Sequence, residues 1–432
     1  MEWKKEWKPL LIILSVFLLC FYIPVGNFRF DNAIREGFFL VNWYAREHVI
    51  LCLVPAFFIA GAISVFISQD SVMKYLGSKA NQVLAYLVAS VSGTVLAVCS
   101  CTVLPIFAGI YKRGAGIGPA TAFLYSGPAI NVLAIIMTAR VLGFELGIAR
   151  AVGAIFFSII IGLLMHFIFR KEEAEKVSNQ IELPESDKVR HLWKDVIYFG
   201  LMIGILVFSN WAKSDNSIGV WFFIYTYKWA IVSILSLFFA IILIEWFELK
   251  LTHVILASLP VAILGMLFPN SPLIAFSAGI VGLSIITSKS KGETSDWFSS
   301  SWEFAKQITP LLLIGVFLSG IFLGRPAHEG LIPSEWIVSL VGSNSILSNF
   351  FASVVGAFMY FATLTEIPIL QGLIANGMHK GPALALLLAG PALSLPSMLV
   401  LNSIMGLKKT VVYISLVVVM ATFTGFLFGL VF

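Results

Sequence analysis

The chain of 432 residues is 59% hydrophobic and only 12% charged, whereas a soluble domain has about 25% charged residues. Surface-to-volume scaling prevents a water-soluble fold from burying that much apolar surface, so the composition excludes a soluble protein. The period-two alternation of a membrane β-barrel is absent, which leaves an all-α polytopic membrane protein. We assign the net charge of +5 to cytoplasmic loops rather than to nucleic-acid binding.

The N-terminal segment joins a basic flank to an apolar run, MEWKKEWKPLLIILSVFLLCFYIP. A secretory signal peptide shares these features, but no small-residue cleavage site of the A-x-A type follows here. We therefore expect a retained first helix that begins in the cytoplasm and lies in the plasma (inner) membrane. Residues 1–45 are predicted to form this helix and an outer loop.

Apolar runs of about 20 residues, the length that crosses a bilayer, recur along the chain. The predicted spans are roughly 9–25, 46–68, 117–139, 146–169, 195–212, 219–246, 251–268, 272–288, 308–324, 381–404 and 410–431. Two polar stretches are predicted to be solvated loops: 170–194, which is cytoplasmic, and 288–306. Transmembrane helices within 195–307 connect the two halves, 46–169 and 308–432.

Two further segments do not fit as simple spans. No charge occurs between Lys79 and Lys112, but a straight helix of that length would measure nearly 50 Å at about 1.5 Å per residue. The apolar core of a bilayer is about 30 Å thick, so the segment is too long for one span and too short for two. We predict a broken or re-entrant helical pair here, with a counterpart at about 344–377.

An internal repeat is the strongest signal in the sequence. Residues 89–143 align without a gap on 352–406, and 18 of the 55 positions are identical. Nine of those identities are Gly or Pro, which shared apolar composition does not explain. Both copies contain P-x-x-x-G followed by two G-P-A motifs, and each copy has one predicted broken segment. We infer two copies of one structural unit.

The basic residues indicate how the two copies are oriented. With re-entrant segments, 19 of the 28 Lys and Arg residues fall on the cytoplasmic side, as the positive-inside rule requires. The predicted outer basic residues are Arg29, Arg35, Arg46, Arg140, Arg150, Lys213, Lys228, Arg325 and Lys380. The first copy then begins outside and the second inside, which predicts two inverted-topology repeats. Inverted repeats with interrupted helices are typical of secondary transporters, with the site at the repeat interface.

Residues at the helix breaks are the candidates for contact with a solute. Non-helical backbone at membrane depth is tolerated only where protein or a water-filled cavity surrounds it, and Gly and Pro within apolar helices free backbone carbonyls. The predicted substrate-binding residues are Cys99, Ser100, Cys101, Thr102, Pro105, Gly127, Pro128, Asn131, Thr363, Thr365, Pro368, Gly390, Pro391 and Ser394. We predict no catalytic residue, no cofactor and no metal site.

Glu366 is the acidic residue that the pattern places within the apolar region. A carboxyl group there is unfavourable unless it is protonated, paired or hydrated. The functional interpretation is proton coupling or cation binding. The structural alternative is a carboxyl group at the mouth of a pore, or one satisfied by backbone groups.

The four cysteines fall into two classes. Cys20 and Cys52 lie alone in apolar runs, where small buried hydrophobic residues are expected. Cys99 and Cys101 are too close in sequence to favour a disulfide. They could offer two soft sulfur ligands to a thiophilic species, or they could serve only for close packing.

The stretch CSCTVLPIFAGIYKRGAGIGPATAFLYSGPAINV (99–132) resembles the ArsP/YraQ-type permease family, which shares a C-S-C-x-x-x-P stretch and a glycine-rich turn. The second copy, TLTEIPILQGLIANGMHKGPALALLLAGPALSLPS (363–397), resembles the later half of that family. The resemblance covers about half the chain. It implies secondary transport and, from the branch that exports trivalent organoarsenicals, a role for Cys99 and Cys101.

Together these observations predict a secondary transporter rather than an enzyme. Its expected partners are a small-molecule substrate and the lipid bilayer, and its oligomeric state is open. Export of a trivalent organoarsenical by proton antiport through Glu366 is one hypothesis. A thiol or sulfur compound or another metalloid is an alternative substrate. A membrane thiol redox protein is also open, although C-x-C is not the C-x-x-C spacing of thiol oxidoreductases, and so is a channel.

Overall fold

A computed structural model describes residues 3–66, 81–96, 100–130, 132–179, 192–211, 219–325, 328–333, 340–359, 366–375 and 377–432. Within these ranges the backbone is helical apart from turns and one isolated β-bridge between Arg325 and His328. The prediction of an all-α polytopic membrane protein is therefore confirmed.

The helices of the first half, in chain order, are α1 (Trp3–Tyr22), α2 (Phe28–Tyr44), the π-helical segment π1 (Ala45–Leu53), α3 (Val54–Phe66), α4 (Gln82–Leu96), α5 (Ser100–Lys112), α6 (Ile117–Ala129), α7 (Val132–Val141) and α8 (Phe144–Asn179). Those of the second half are α9 (Leu192–Ser209), α10 (Val220–Glu245), α11 (Leu251–Leu267), α12 (Pro272–Lys289), α13 (Glu293–Leu323), α14 (Ile346–Phe358), α15 (Glu366–Ala375), α16 (Lys380–Ala389), α17 (Leu395–Met405) and α18 (Leu407–Val431).

Among the described residues, six helical stretches are long and apolar enough to cross a membrane. They are Phe28–Phe66, Phe144–Glu173, Val220–Glu245, Pro272–Lys289, Glu293–Phe322 and Leu407–Val431. Shorter apolar helices, among them α11, α14, α16 and α17, lie between the longer ones. This pattern establishes a multi-pass membrane protein.

Three segments predicted as loops are helical. Residues 28–44 form α2, and the side chain of its N-cap residue, Asn27, accepts a hydrogen bond from the Arg29 amide at 3.0 Å. Helix α8 continues beyond its predicted end to Asn179, and α13 already begins at Glu293. These loop predictions were wrong. For α8 the reason is that Glu, Lys and Ala, which are good helix formers, follow the apolar run and extend the helix; in the other two segments polar residues did not prevent a helix.

The two copies fold into matching helices. Helices α6, α7 and α8 begin at residues 117, 132 and 144, and α16, α17 and α18 begin at 380, 395 and 407. Each pair differs by the offset of the sequence repeat. Gly143 and Gly406, immediately before α8 and α18, have φ of +111° and +82°. That backbone conformation costs least for glycine, which explains why both copies keep glycine at this turn.

The two copies also pack alike. A Cβ atom on Gly118 would lie 2.9 Å from the carbonyl oxygen of Gly162. A Cβ atom on Gly381 would lie 2.7 Å from the carbonyl oxygen of Gly425. These are equivalent positions of the repeat, where α6 approaches α8 and α16 approaches α18 backbone to backbone. Small residues permit this close approach between membrane helices.

Equivalent helices α8 and α18 run in opposite directions. Lys408 and Lys409, at the start of α18, form ion pairs with Glu172 and Glu173 towards the end of α8. At the opposite end of α8, Glu145 pairs with Lys380 at the start of α16, Nζ to Oε2 2.8 Å. The start of α16 in turn packs beside Gly425 near the end of α18.

The first broken segment begins and ends at the same end of α8. Gln82, at the start of α4, lies 3.5 Å from His166, and Ser90 lies 2.9 Å from Ser158, so α4 runs antiparallel to α8. Helix α5 comes back, and near its end the Tyr111 hydroxyl donates to Glu173 at 3.1 Å. Both ends therefore lie towards the end of α8.

The second broken segment has the same form relative to α18. The Asn344 side chain donates to the Phe426 carbonyl at 3.1 Å, and Ser353 lies 3.2 Å from Thr422 farther along α14. After α15 returns, the His379 amide donates to the Val341 carbonyl at 3.1 Å. Each segment thus begins and ends at the same end of the long helix beside it, which is the arrangement expected of a re-entrant pair.

The predicted spans 117–139 and 381–404 are interrupted as well. The first divides into α6 and α7, and the second into α16 and α17. In each, the second G-P-A motif lies at the division, because a proline removes a backbone donor and opposes continuation of the helix. Each copy thus carries two interruptions, and these position the candidate site.

Candidate functional site

The interrupted helices of one copy pack against those of the other. Helix α15 contacts α7, α17 contacts α5, and α8 contacts both α16 and α18. Because α5 corresponds to α15 and α7 to α17 in the repeat, the contacts α15–α7 and α17–α5 are equivalent to each other. The helices that flank the breaks therefore meet along the boundary between the copies.

An ion pair lies at this boundary. Glu366, the first residue of α15, places Oε1 2.5 Å from Nη2 of Arg150 on α8, and both side chains are fully buried. The Arg150 Nη1 group also donates to the Thr138 hydroxyl on α7 at 2.9 Å. Thr138 donates in turn to the Ala134 carbonyl at 2.6 Å. One charged contact thus links the second copy to two helices of the first.

This ion pair is incompletely hydrogen-bonded. Among the described residues, Arg150 Nε and Nη2 and both carboxylate oxygens of Glu366 lack a well-aligned hydrogen-bond partner. Burying charges is unfavourable unless geometry and further hydrogen bonds compensate. The pair therefore keeps hydrogen-bonding capacity that a proton or a further ligand could use.

Arg150 is a functional candidate that sequence reasoning missed. The positive-inside argument placed it among the outer basic residues, and that prediction was wrong, because Arg150 is fully buried within the apolar stretch Phe144–Glu173. A signal was available: an acidic residue at membrane depth requires a partner, and Arg150 is a basic residue followed directly by an apolar run.

The G-P-A interruptions meet at equivalent positions. Tyr125 on α6 donates its hydroxyl to the carbonyl of Leu388 on α16 at 3.1 Å. Leu388 is the repeat equivalent of Tyr125, so this hydrogen bond joins the same position of the two copies. Ser394 begins α17 as its N-cap and accepts from the Ser397 amide at 3.2 Å. Tyr125 also lies close enough to Arg150 for electrostatic interaction.

Thr102, next to the C-S-C motif, packs against a third cysteine. Its Oγ1 atom lies 2.6 Å from Sγ of Cys52, and both residues are buried. Cys52 belongs to π1, and π-helical turns are frequent at functional sites. Sequence reasoning treated Cys52 as packing alone, and only the contact with Thr102 places this sulfur beside the motif.

The remaining predicted site residues are placed as follows. Gly127, Pro128, Gly390 and Pro391 are buried at the interruptions, and Pro105 lies inside α5. The backbones of Ser100, Cys101 and Pro368 lie in α5 and α15. Cys99, Asn131, Thr363 and Thr365 lie outside the described residues. The structure thus joins Glu366 to the first copy through Arg150 and Thr138, at a place that the sequence did not indicate.

No group of three or more His, Cys, Asp or Glu side chains suited to a metal ion occurs within the described residues. The chemistry that this region can perform with its own described side chains is proton exchange at Glu366 and charge recognition at Arg150.

Comparison with known proteins extends over most of the chain. Residues 36–430 match the model of the ArsP_1 family, described as a predicted permease. The UPF0718 protein MJ0584 of Methanocaldococcus jannaschii is 39% identical over 391 residues, which cover 90% of this chain and 93% of that protein.

Two bacterial relatives are more distant. The UPF0718 protein YraQ of Escherichia coli is 21% identical over 84% of this chain and 71% of its own length. The UPF0718 protein YcgR of Bacillus subtilis is 25% identical over 27% of this chain and 40% of its own length. No solved structure matches the chain.

Proposed function

This chain belongs to the ArsP_1 predicted permease family, and on that premise we propose that it is a secondary transporter with its transport site at the boundary between the two copies. The observation that carries this proposal is the buried Glu366–Arg150 pair, which joins an interrupted helix of one copy to the other copy. Ionisable residues at membrane depth mark substrate, ion or proton pathways by default.

Alternating access follows from the arrangement of the copies. The opposite directions of α8 and α18 support an inverted repeat, and in such transporters one repeat rocks against the other around a fixed site. The ion pairs at the two ends of α8 join the copies on opposite faces. To open the transporter on one face, the ion pairs on that face would have to separate while those on the opposite face stay formed.

The proposed solute is small and thiophilic, such as a trivalent organoarsenical, and the proposed direction is export across the plasma membrane. Thiolates prefer soft ligands, and the C-S-C motif directly precedes Thr102. The buried sulfur of Cys52 beside Thr102 supports a sulfur-rich environment there. The residues predicted at the breaks would line the path, with Cys99 and Cys101 as the ligands.

Glu366 is the proposed coupling residue for proton antiport. In the described arrangement its carboxylate is held by Arg150. Protonation would remove the charge attraction and free α15 from α7 and α8, and deprotonation on the other side would restore it. Export would then be driven by protons that enter through the same residue.

The test is accumulation of methylarsenite in everted membrane vesicles with an imposed pH gradient. We expect accumulation in the wild-type protein, loss in Glu366→Gln, and loss in the double variant Cys99→Ser/Cys101→Ser. Matched controls are Glu303→Gln, an exposed carboxylate on α13, and Cys20→Ser in α1, and both should retain transport.

Three other outcomes would redirect the proposal. Unchanged accumulation in the cysteine double variant would make those sulfurs packing residues. Accumulation that is independent of the pH gradient would remove Glu366 as the coupling residue. No accumulation in the wild type would reject the arsenical, and a thiol, another sulfur compound or another metalloid would be tested in the same vesicles.

A further inference from the structure

One edge of the Arg150 guanidinium is only partly used inside the protein. Its Nη1 group is occupied by the Thr138 hydroxyl, while Nε and Nη2 lack a well-aligned acceptor among the described residues. These two N–H groups point the same way in a planar guanidinium, and they form the pair of donors that binds a carboxylate through two parallel hydrogen bonds. Glu366 contacts this edge through one oxygen, at 2.5 Å from Nη2.

The charge of Arg150 cannot be removed by deprotonation, because a guanidinium remains protonated in proteins. When Glu366 takes up a proton, the site therefore changes from a neutral pair to a single buried cation. An isolated ion in apolar surroundings is strongly unfavourable. A negative charge that entered the site on protonation of Glu366 would remove this cost.

No charged group on the surrounding helices replaces Glu366 in the described part of the chain. The titratable groups that face Arg150 are the phenol of Tyr125 on α6 and, next to it, that of Tyr413 on α18. Arg140 on α7 is exposed, and Lys380 on α16 is already paired with Glu145. A mobile anion can supply the compensating charge that these described groups do not.

We propose that Arg150 is the binding site for a small monovalent carboxylate anion, which enters when Glu366 is protonated. This inference deepens the proposed function and rests on it for the proton transfer to Glu366. A monovalent anion neutralises the single positive charge of Arg150, and the Nε–Nη2 edge fits the two coplanar oxygens of a carboxylate. Complete burial of both side chains limits the anion to the space that a displaced glutamate carboxyl group leaves.

The proposal changes the predicted charge movement of the transporter. A proton on Glu366 and an anion on Arg150 together carry no net charge, as the original ion pair carries none. The site with a proton on Glu366 and an anion on Arg150 would then carry no net charge as it reorients. Exchange of this proton and anion for an uncharged solute would therefore be electroneutral.

The experiment measures binding of radiolabelled acetate to the purified full-length protein in detergent, by scintillation proximity, at pH 5 and pH 8. Acetamide at the same concentration competes as the uncharged analogue, and gluconate as a carboxylate too large for the site. We expect wild-type protein to bind acetate about tenfold more tightly at pH 5, a difference of about 1.4 kcal/mol. Glu366→Gln should bind acetate equally well at both pH values.

Two arginine variants locate the site. Arg150→Gln should lose acetate binding, while Arg140→Gln, on the exposed end of α7, should bind as the wild type does. Acetate binding that is independent of pH in the wild type, absent from Glu366→Gln, or unchanged in Arg150→Gln would overturn the proposal. Equal competition by acetamide would also overturn it, as would binding of chloride without binding of acetate. The wild-type pH comparison keeps the proposal testable even where a variant fails to fold.

The two proposals fail in distinguishable ways. If Glu366→Gln abolishes proton-driven methylarsenite accumulation but acetate does not bind, the anion site is wrong and the transport proposal stands. If acetate binds as described but transport does not depend on Glu366, the anion site stands and the coupling proposal is wrong.

Discussion

Removal of the guanidinium of Arg150 should destabilise the protein more than removal of any exposed charge. Arg150→Met keeps a long apolar side chain but leaves the fully buried carboxyl group of Glu366 without its partner. Breaking a buried ion pair from one side costs about 3–5 kcal/mol. The Thr138 hydroxyl loses its donor at the same time, which adds about 1 kcal/mol.

The double variant Arg150→Met/Glu366→Leu should recover most of that loss. Replacement of both partners by apolar groups of similar size is often neutral, so the effects of the single variants should fail to add by about 2 kcal/mol or more. The assay is equilibrium unfolding of the purified protein in mixed micelles, in which the mole fraction of a denaturing detergent is increased and helix loss is followed by far-UV circular dichroism. Arg140→Gln serves as the exposed control and should stay within about 0.5 kcal/mol of the wild type.

Additive single-variant effects would refute this reasoning. If the losses in unfolding free energy of the two single variants, each relative to the wild type, sum to the loss of the double variant within about 0.5 kcal/mol, Arg150 and Glu366 do not interact energetically. An Arg150→Met protein as stable as the wild type would show that the guanidinium is not buried.

Two further predictions concern packing and charge. Gly118→Ala should destabilise the protein by about 1–3 kcal/mol, because its methyl group would meet the Gly162 backbone. Gly200→Ala is the control and should not destabilise the protein, since its methyl group would meet nothing within 4 Å. The thermal unfolding midpoints of the two variants in detergent test this prediction. Lys409→Gln should destabilise by about 1–3 kcal/mol because its carboxylate partner on α8 is 7% exposed. Lys408→Gln, with a 74% exposed side chain, should change the same midpoint by less than about 1 kcal/mol.

The breaks in the helices could be predicted from sequence because their causes are local. Pro128 and Pro391 remove backbone donors within apolar runs, and the positive φ of Gly143 and Gly406 reflects a conformation that costs other residues more. These residues recur at one fixed offset, so the sequence alone revealed the repeat, but it predicted 117–139 and 381–404 as single spans, and the structure divides both. The charge-free stretch between Lys79 and Lys112 predicted the re-entrant pair by its length alone.

Loop boundaries were predicted less well. Residues 170–179 and 293–306 are polar, and polarity indicates contact with water or lipid headgroups rather than the absence of a helix. Helices α8 and α13, at 36 and 31 residues, are longer than the bilayer core requires at about 1.5 Å per residue. Hydropathy reports where apolar sequence ends, and the backbone continues its hydrogen bonding beyond that point.

By itself, the sequence determined the membrane class and the duplication, and it placed the carboxyl group of Glu366 within the apolar region. Only the tertiary structure decided which group holds that carboxyl. Arg150 and Glu366 belong to different copies, and their contact depends on how α15 packs against α7 and α8. Hydropathy and Gly/Pro patterns act within a few turns of one helix, whereas a charge pair across the repeat boundary is set by the packing of two whole units.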